Sequence, residues 1–316
     1  MLPKVTIMIP TYNQANMIHR AIESSLMQDY INIEIIISDD CSTDNTYEIV
    51  KKYFSYDKIK YFRNKTNLGR VKNYKFTLEN YATGDWVVNL DGDDFFIDNT
   101  FISKSMNLIL MYQNVVFLQS GHLKKNFYEI DKIGEVCIPH LKSEYLVING
   151  IDYVINFLKF GHFSHCATIY NRKLAIETDF YINDIPSTDI DSLLRLALKG
   201  NVILVKDTPC VWLQHENNVS KKLDINSISR NILWIENVYN ECLKYNIEKK
   251  KLYRWKKKLK KISVLNNVKL IINSAKSIKI LKEVYIYVFK NYKTLLFNFY
   301  FNKLVIKRFI KLITER

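Results

Sequence analysis

Short apolar segments alternate with segments of helical spacing along the first part of the chain. Residues 5–9 and 33–38 are apolar and rich in β-branched side chains, which is typical of buried strands. Between these two segments, apolar residues recur at helical spacing, at Met17, Ile18, Ala21, Ile22 and Leu26. The pattern predicts a strand, a helix and a second strand in succession.

The same alternation continues as far as residue 90. A helical pattern over 47–54 precedes a strand at 59–62, and a helix near 72–81 precedes a strand at 86–90. Strands that alternate with helices of this length predict an α/β fold, with a mostly parallel sheet covered by helices on both faces. Since ligands bind beyond the carboxyl ends of such strands, the polar residues at those ends are candidates for a site.

The pattern changes after about residue 220. Apolar residues recur at spacings of three and four from Ile228 to Cys242 and from Leu252 to Ile262, with lysines between them, and glycine and proline are absent after Pro209. We therefore expect an α/β domain over residues 1–220 and a basic, amphipathic helical extension over residues 221–316. These helices either pack on the first domain or form a short hairpin that joins two copies into a homodimer.

Charge is distributed unevenly between these two regions. The 316 residues carry 46 Lys and Arg against 32 Asp and Glu, a formal net charge of +14. From Lys244 to Arg316 there are 21 basic residues and 3 acidic ones, whereas the preceding part of the chain holds 25 basic and 29 acidic residues. The basic character therefore belongs to the C-terminal quarter.

Three interpretations of this basic region are open. Lysines interleaved with aromatic residues suit an anionic membrane surface, where each basic residue contributes about 1 kcal/mol, and we favour this interpretation. Nucleic-acid binding would also suit the charge, but because no recognised binding motif is present we expect no nucleic acid. The third interpretation is a solvated helix face. The aromatic residues concerned are Trp255, Tyr285, Tyr287, Phe289, Phe297, Phe299 and Tyr300.

No segment predicts export or a membrane span. The first residues enter a strand directly, without the charged start and long apolar stretch of a signal peptide. The stretch 284–301 is interrupted by Lys290, Asn291 and Lys293, whereas a span needs about 20 mostly apolar residues. The 5 cysteines form no CxxC pair and are typical of reduced thiols. We expect a cytoplasmic protein, and the basic region would allow it to lie peripherally on the inner face of the plasma membrane.

An acidic cluster, Asp91-Gly92-Asp93-Asp94, directly follows the predicted strand at 86–90. Three neighbouring carboxylates repel one another unless a cation compensates their charge. Carboxylates and a diphosphate together offer the oxygen ligands that Mg²⁺ or Mn²⁺ prefers, and such an ion neutralises a phosphate leaving group. Considered alone, the cluster is equally compatible with a solvated Asp-Gly turn.

The acidic cluster is the last in an ordered series of short motifs. Pro-Thr-Tyr-Asn at 10–13 follows the first strand, an acidic segment at 39–44 follows the second, Asn-Leu-Gly at 67–69 precedes a helix, and Ala-Thr-Gly-Asp at 82–85 leads into the acidic strand end. In order and spacing, this series resembles the family 2 glycosyltransferases of the GT-A fold over about residues 4–220. Asp91-Gly92-Asp93 matches the Asp-x-Asp motif of that family.

The resemblance implies donor-binding roles at the strand ends. Tyr12 would stack on the nucleobase, usually uracil, and Asp40 would accept its ring N–H. Where many relatives have Arg-Asn, this chain has Lys72-Asn73, so that a phosphate contact there would be a point charge, with Arg70 as a substitute. The implied donor-binding residues are Pro10, Thr11, Tyr12, Asn13, Asp40, Asn67, Gly69, Arg70, Lys72, Asn73, Asp91 and Gly92.

A metal site is also implied by the resemblance. Asp93 would ligate a divalent cation, Mn²⁺ or Mg²⁺, with Asp91 near the ribose and the metal-bound diphosphate and Asp94 supporting the cluster. His215 stands where relatives carry a histidine on a loop that reaches the metal or the diphosphate. The alternative for a lone histidine is a surface or core group.

The general base is implied by a later segment that is similar to the family's Glu-Asp motif. Asp189 falls on the position of the aspartate that deprotonates the acceptor hydroxyl, although Thr188 replaces the usual glutamate. Asp191 is a rival for this role, or an acid favoured by a helix dipole. The segment before residue 172, where the family builds its acceptor side, offers Ser164 and His165 as acceptor contacts.

These expectations describe an inverting glycosyltransferase. It would move a sugar from a nucleotide-sugar, most simply a UDP-sugar, to a hydroxyl of a saccharide or lipid-linked saccharide, in the assembly of a bacterial surface polysaccharide such as capsule or lipopolysaccharide. The competing interpretation is a catalytically inactive binding protein that uses its basic region to hold membrane or nucleic acid. Retention of the acidic cluster argues against it, because unused buried charge is costly.

Overall fold

The computed structural model describes residues 2–160, 165–216, 218, 224–275, 277–293 and 299–314, with no description of the side chains of 299–301. The chain forms two compact units. The first consists of Met1–Asp184 with Thr188–His215, and the second of Glu216–Arg316 with Ile185–Ser187. The segment Ile185–Ser187 contacts the rest of the second unit, and the backbone N–H of Ser187 donates to the side-chain oxygen of Asn231 at 2.9 Å.

The first unit contains two sheets. Their strands are β1 Val5–Thr11, β2 Ile33–Asp39, β3 Ile59–Arg63, β4 Trp86–Asn89, β5 Phe95–Phe96, β6 Val115–Gln119, β7 His122–Asn126, β8 Glu135–Cys137, β9 Tyr145–Asn149, β10 Thr168–Asn171, β11 Asn201–Val205 and β12 Cys210–Gln214. The large sheet has the order β3-β2-β1-β4-β10-β6-β11-β9, and the small sheet has the order β5-β12-β7-β8.

The first four strands of the large sheet are parallel, as the sequence predicts. β1 pairs with β2 in a register that runs from Val5 opposite Ile33 to Thr11 opposite Asp39, and β1 pairs with β4 on its other side. Every residue of β1, β2 and β4 is buried. This explains the nearly continuous apolar runs, because parallel strands that are covered on both faces have no solvent-facing side. β10 lies antiparallel to both of its neighbours.

Helices follow each of the first three strands of this unit and several of the later ones. They are α1 Ile18–Leu26, α2 Thr46–Lys51, α3 Arg70–Asn80, α4 Phe101–Met111, α5 Gly150–Phe160, α6 Arg172–Glu177 and α7 Thr188–Ala197. α1, α2 and α3 confirm the predicted alternation. The predicted mixed α/β class with a mostly parallel sheet and a C-terminal helical region is therefore confirmed.

The second unit is helical. Its helices are α8 Ile225–Asn231, α9 Leu233–Cys242, α10 Lys249–Ser274, α11 Ile278–Asn291 and α12 Phe299–Thr314. The apolar pattern that begins at Ile228 is divided between α8 and α9, which meet at Ile232. Within the described ranges, no helix has both the length and the apolar content that a membrane-crossing segment needs.

Glu34 on β2 is a buried carboxylate that joins three parts of the first unit. Its side chain accepts from Thr6 Oγ1 at 2.6 Å and from the backbone N–H of Thr83 at 2.7 Å, and it pairs with Lys4 Nζ at 2.8 Å. Burial alone would raise the pKa of Glu34, but the hydrogen bonds from Lys4, Thr6 and Thr83 lower this pKa to about 2. The ionised form therefore stabilises the fold.

We predict that Glu34→Gln lowers the free energy of unfolding at pH 7 by about 2 kcal/mol, because the lost charge leaves Lys4 and Thr83 with a weaker acceptor. The folded pKa of about 2 lies below an unfolded value of about 4.3, so the contribution is complete above the unfolded value and disappears as pH falls toward the folded one. Urea denaturation at pH 7, 4 and 3 should show that the difference in free energy of unfolding between variant and wild type becomes smaller as the pH falls.

Glu48→Gln provides the matched control, because Glu48 is exposed on α2. Its effect should stay within about 0.5 kcal/mol at each pH. A Glu34→Gln difference that is absent at pH 7, or that is as large at pH 3 as at pH 7, would contradict the role given to this carboxylate.

Candidate functional site

Four parallel strands end at one edge of the large sheet. In spatial order β3, β2, β1 and β4 end at Arg63, Asp39, Thr11 and Asn89. The polar segments that follow these strands begin at this edge, which is where open parallel sheets bind ligands. Most of the donor-binding residues that the resemblance implies lie in the segments that follow these four strands.

Asp40 organises the loop between β3 and α3. Its carboxylate accepts from Asn64 Nδ2 at 2.9 Å, from the backbone N–H of Leu68 at 2.8 Å and from that of Gly69 at 2.9 Å. Gly69 has a φ of +86°, which favours glycine, and its N–H also lies 3.0 Å from the side-chain oxygen of Asn67. Since a carboxylate has about four acceptor positions, one remains after these three bonds.

The segment after β1 is held by hydrogen bonds of Asn13, while the ring of Tyr12 stays accessible. Asn13 has a φ of 53°, donates its backbone N–H to Ser42 Oγ at 2.9 Å and accepts the N–H of Thr43 at 2.8 Å. Tyr12 is 46% exposed. Pro10 accepts the backbone N–H of Gly92 at 3.1 Å, which joins this segment to the acidic cluster. Tyr12 therefore offers a ring face beside the sheet edge.

Two residues of α3 lie away from the position that the sequence suggested for them. Asn73 is 2% exposed, accepts from Ser38 Oγ at 2.7 Å and from Asn64 Nδ2 at 2.9 Å, and donates to the Ser38 carbonyl at 3.0 Å. The Asn73 side chain therefore supports the Asp40 loop from inside, and its direct contact with the donor stays a prediction. Lys72 is exposed, and two residues turn a helix by about 200°, so Lys72 lies on a different side of α3 from Arg70.

Asp91 is held by two donors at the end of β4. Tyr74 donates its hydroxyl to Asp91 Oδ1 at 2.5 Å, and Asn89 Nδ2 donates to the same oxygen at 2.9 Å. The next residue, Gly92, leaves no room for a side chain, because an added Cβ would lie 2.4 Å from Gln14 Oε1 and 3.0 Å from Thr11 Oγ1. Glycine therefore allows the acidic turn to pack against the β1 segment.

Asp93 meets the end of β12. Asp93 Oδ2 lies 2.7 Å from Nε2 of His215, the residue that follows this strand. Asp94 is buried and accepts the backbone N–H of Leu213 at 2.9 Å, which fixes the acidic turn to the same strand. The structure thus brings together Asp93 and His215, which are 122 positions apart in the chain.

The carboxylates of the acidic cluster lie close enough together to raise the pKa values of Asp91 and Asp94. Burial and the nearby Asp93 raise the pKa of Asp91, although His165 lowers it. Burial, together with Cys166, Asp93 and Asp91, raises the pKa of Asp94 well above its ordinary value. Neighbouring buried carboxylates hold protons more tightly unless a cation compensates them.

Arg70 links the acidic cluster to Asp189 on α7. Burial alone would lower the pKa of Arg70, but Tyr74, Asp189 and Asp91 around it raise that pKa, so the guanidinium stays charged. His165 is also near Asp189 and Asp91, although burial lowers its pKa. The predicted general base therefore belongs to the same electrostatic cluster as the Asp-x-Asp residues.

Asp191 does not belong to this cluster. It is fully buried, pairs with Arg195 at 3.1 Å and accepts from Asn183 Nδ2 at 3.0 Å. The structure places Asp191 in the interior, because two residues along α7 turn the side chain away from the Asp189 face, and an acceptor contact of Asp191 stays a prediction. Ser164 lies outside the described residues.

Tyr74 and Tyr181 are buried and their rings are in contact, which the sequence did not predict. The ring centroid of Tyr74 is 5.2 Å from that of Tyr181 and 6.0 Å from that of His165. His165 Nε2 lies 2.7 Å from the Tyr181 hydroxyl. The spacing of Arg70 and Tyr74 by one helical turn was the available signal, since residues four apart share a helix face.

A match to a family model shows which protein family this chain belongs to. The model described as Glycosyl transferase family 2 matches residues 6–178. The chain belongs to glycosyltransferase family 2. In this family member the matched residues contain the acidic cluster, whereas Asp189 and His215 lie beyond them. His215 joins the cluster through its 2.7 Å contact with Asp93, and Asp189 through its electrostatic interaction with Arg70.

Solved structures share the GT-A fold with this family 2 chain. The S. aureus TarS 1–349 in complex with UDP-GlcNAc is 18% identical, with a TM-score of 0.65 over 96% of this chain and 89% of that one. The mannosyltransferase PcManGT from Pyrobaculum calidifontis, in complex with GDP-Man and Mn²⁺, is 14% identical, with a TM-score of 0.58 over 100% of this chain and 88% of that one. At these identities the likeness shows the fold.

The curated relatives align with this chain over only part of their own length. The GalNAc(5)-diNAcBac-PP-undecaprenol beta-1,3-glucosyltransferase of Campylobacter jejuni is 31% identical over 131 residues, which are 40% of this chain and 42% of that one. The chain spans less than half the length of the curated relatives it matches.

The donor atoms of the site are compatible with a divalent cation. Asp91 and Asp93 provide carboxylate oxygens and His215 provides an imidazole nitrogen, which suit Mn²⁺ or Mg²⁺. In the described part of the chain, no three His, Cys, Asp or Glu side chains come together as a complete ligand set. Such a partial set is typical of Mg²⁺-type sites, in which one or two carboxylates act together with substrate phosphates.

Proposed function

We propose that this chain transfers a sugar from a UDP-sugar to a hydroxyl of a saccharide acceptor, with inversion at the anomeric carbon. The observation that carries the proposal is the grouping of Asp189 with Arg70 and Asp91, next to Asp93 and His215, at the carboxyl edge of a family 2 domain. A base and a leaving-group site are the two parts that such a transfer requires.

The donor would lie along the sheet edge from β2 to β4. The exposed ring of Tyr12 offers a stacking surface for the base, and the free acceptor position of Asp40 suits the imide N–H of uracil. Asp93, Asp91 and His215 would hold the cation together with the diphosphate. When bound, Mn²⁺ or Mg²⁺ neutralises the charge that develops on the leaving nucleoside diphosphate.

Asp189 would take the proton of the acceptor hydroxyl as its oxygen forms a bond to the anomeric carbon. The bond from that carbon to the diphosphate breaks at the same time, the electron pair leaves with the nucleoside diphosphate, and the glycoside forms on the opposite face. Arg70 keeps its positive charge beside Asp189 and Asp91.

The acceptor in this proposal is a growing surface polysaccharide or its lipid-linked precursor at the cytoplasmic face of the membrane. Support comes from the Campylobacter relative, whose name specifies a glycan on PP-undecaprenol, and from the chondroitin synthase of Pasteurella multocida, which is 35% identical over 94 residues. Capsule and lipopolysaccharide are the polymers of this class that we consider first.

Calorimetric titration with UDP-glucose, UDP-galactose, UDP-N-acetylglucosamine, GDP-mannose and UDP, each with and without Mn²⁺, tests the donor assignment. We expect one UDP-sugar to bind in the low micromolar to millimolar range, and binding to weaken at least tenfold without the metal. Absence of binding by every compound would contradict the proposal and favour the inactive binding protein.

We predict that Tyr74→Phe lowers kcat about tenfold, because the hydroxyl that holds Asp91 Oδ1 at 2.5 Å is lost. The KM for the donor should change less than threefold, since the carboxylate keeps the Asn89 contact. Steady-state release of the nucleoside diphosphate gives both constants.

Tyr153→Phe is the matched control for this variant. Tyr153 is fully buried on α5, and its hydroxyl lies 3.3 Å from Gln119 Oε1, away from the acidic cluster. Its kcat should equal that of the wild type. Equal kcat in Tyr74→Phe and wild type would remove Tyr74 from the account of how Asp91 is positioned.

A further inference from the structure

Among its described residues, the second unit carries an exposed apolar surface. On α11, Leu281, Val284 and Val288 are buried, whereas the next positions of the helix present exposed apolar side chains. On α12 the exposed residues follow the spacing i, i+3, i+4 and i+7. The α11–α12 apolar face consists of Tyr285, Ile286, Phe289, Ile306, Phe309, Ile310 and Ile313, which are 42–57% exposed.

A cleft between the two helices continues this face. It has a volume of about 280 Å³ and is lined by Leu281, Tyr285, Ile286, Val305 and Phe309, with Lys282 at its side. Arg308 fixes α12 in position because its Nε donates to the carbonyl of Ala275, at the end of α10, at 2.9 Å. The face is therefore part of a defined helical arrangement, with space for an apolar chain between α11 and α12.

Lysines border the α11–α12 apolar face. Lys303, Lys307 and Lys311 repeat every four residues on α12, and Lys293 lies with its Nζ 5.5 Å from the ring centroid of Phe289. All of these lysines are exposed, as are Lys279, Lys282 and Lys290. Glu283 is the single acidic residue of the sequence from 278 to 314. Apolar residues bordered by basic ones are typical of helices that lie in the interface of a membrane.

We propose that the α11–α12 apolar face docks on an anionic lipid surface. Its isoleucine and aromatic side chains would enter the boundary between headgroups and acyl chains, and the bordering lysines would contact lipid phosphates. This inference goes beyond the transfer reaction, and it concerns residues that belong to a different compact unit from the catalytic site.

Charge complementarity favours lipid over the other candidate occupants. A second copy would bring the same lysines against one another, which disfavours self-association through this face. Nucleic acid would be attracted by the charge and would find the rings of Tyr285, Phe289 and Phe309 for base stacking, but it would leave the isoleucines of α12 without an apolar partner. An anionic bilayer satisfies both the apolar and the basic residues.

Flotation of the full chain with phosphatidylcholine vesicles that contain 30 mol% phosphatidylglycerol tests this proposal. We expect binding to these vesicles and at least tenfold weaker binding to pure phosphatidylcholine. The variant Lys303→Gln, Lys307→Gln, Lys311→Gln should bind the anionic vesicles about a hundredfold more weakly, because each basic residue near the surface contributes about a factor of five. Ile306→Ser with Ile310→Ser should weaken binding at least tenfold.

The matched control exchanges three exposed lysines at the start of α10, by Lys249→Gln, Lys250→Gln and Lys251→Gln. It changes the net charge equally but should reduce vesicle binding less than threefold. Equal loss in the control, or no binding of the wild type to anionic vesicles, would overturn the proposal. So would a dimer that the Ile306→Ser, Ile310→Ser variant converts to monomer in sedimentation, since a second copy would then occupy the face.

Nucleoside diphosphate release without vesicles separates this proposal from the proposed function. All three variants should keep the wild-type rate with a soluble acceptor, because their substitutions lie outside the first unit. Loss of vesicle binding with full activity supports docking through the α11–α12 apolar face.

Discussion

Replacement of Asp93 by asparagine is expected to lower turnover by about three orders of magnitude and to weaken Mn²⁺-dependent donor binding at least tenfold. The Asp93 carboxylate belongs to the Asp-x-Asp motif and lies 2.7 Å from His215 Nε2. An amide keeps the shape of the side chain but loses the charge that a cation and a diphosphate need.

Steady-state diphosphate release and calorimetry with and without Mn²⁺ provide the two measurements for Asp93→Asn. Asp57→Asn is the matched control, because Asp57 is exposed in the turn before β3. Its rate and donor affinity should equal those of the wild type. Turnover of Asp93→Asn within tenfold of the wild type would show that the Asp93 charge is not required for the reaction.

Asp189→Asn is expected to lower transfer by about three orders of magnitude, while the donor affinity stays within threefold of the wild type. The reason is that asparagine does not accept the proton of the acceptor hydroxyl, whereas the proposed donor contacts at the ends of β1 and β4 are unchanged. A rapid comparison of Kd for the donor with kcat for transfer distinguishes this variant from Asp93→Asn, in which both change.

Asp191→Asn is an informative control, because it lies two residues along the same helix. Its buried carboxylate pairs with Arg195 at 3.1 Å, so the substitution should lower the melting temperature and leave the kcat of the folded protein near the wild-type value. A large loss of kcat in Asp191→Asn together with normal kcat in Asp189→Asn would reverse the assignment of the base.

The alternation of strands and helices was predictable because it depends on periodicity. β1 and β2 are buried on both faces, and their apolar runs leave little ambiguity about burial. The acidic cluster was predictable for a related reason, since Asp91, Asp93 and Asp94 follow a buried strand directly. The edge of a parallel sheet then gathers segments that are distant in sequence.

Side-chain direction within helices was the feature of the site that the sequence predicted least well. Asn73 and Asp191 each lie close in sequence to a residue of the cluster, yet a shift of two or three positions places them in the interior. Tyr74 and Tyr181 were missed for the opposite reason. Buried tyrosines in an apolar pattern are indistinguishable from core residues until the tertiary fold brings Tyr74 to Asp91.

The most direct test of the account is the release of nucleoside diphosphate from the nucleotide-sugar that calorimetry identifies, measured with Mn²⁺ and with EDTA. The account predicts release that requires the metal, rises when a saccharide acceptor is added, and falls to background in Asp93→Asn. No release from any nucleotide-sugar at high enzyme concentration, or release that EDTA and Asp93→Asn leave unchanged, would contradict the claim that this acidic sheet edge is a metal-assisted glycosyl-transfer site.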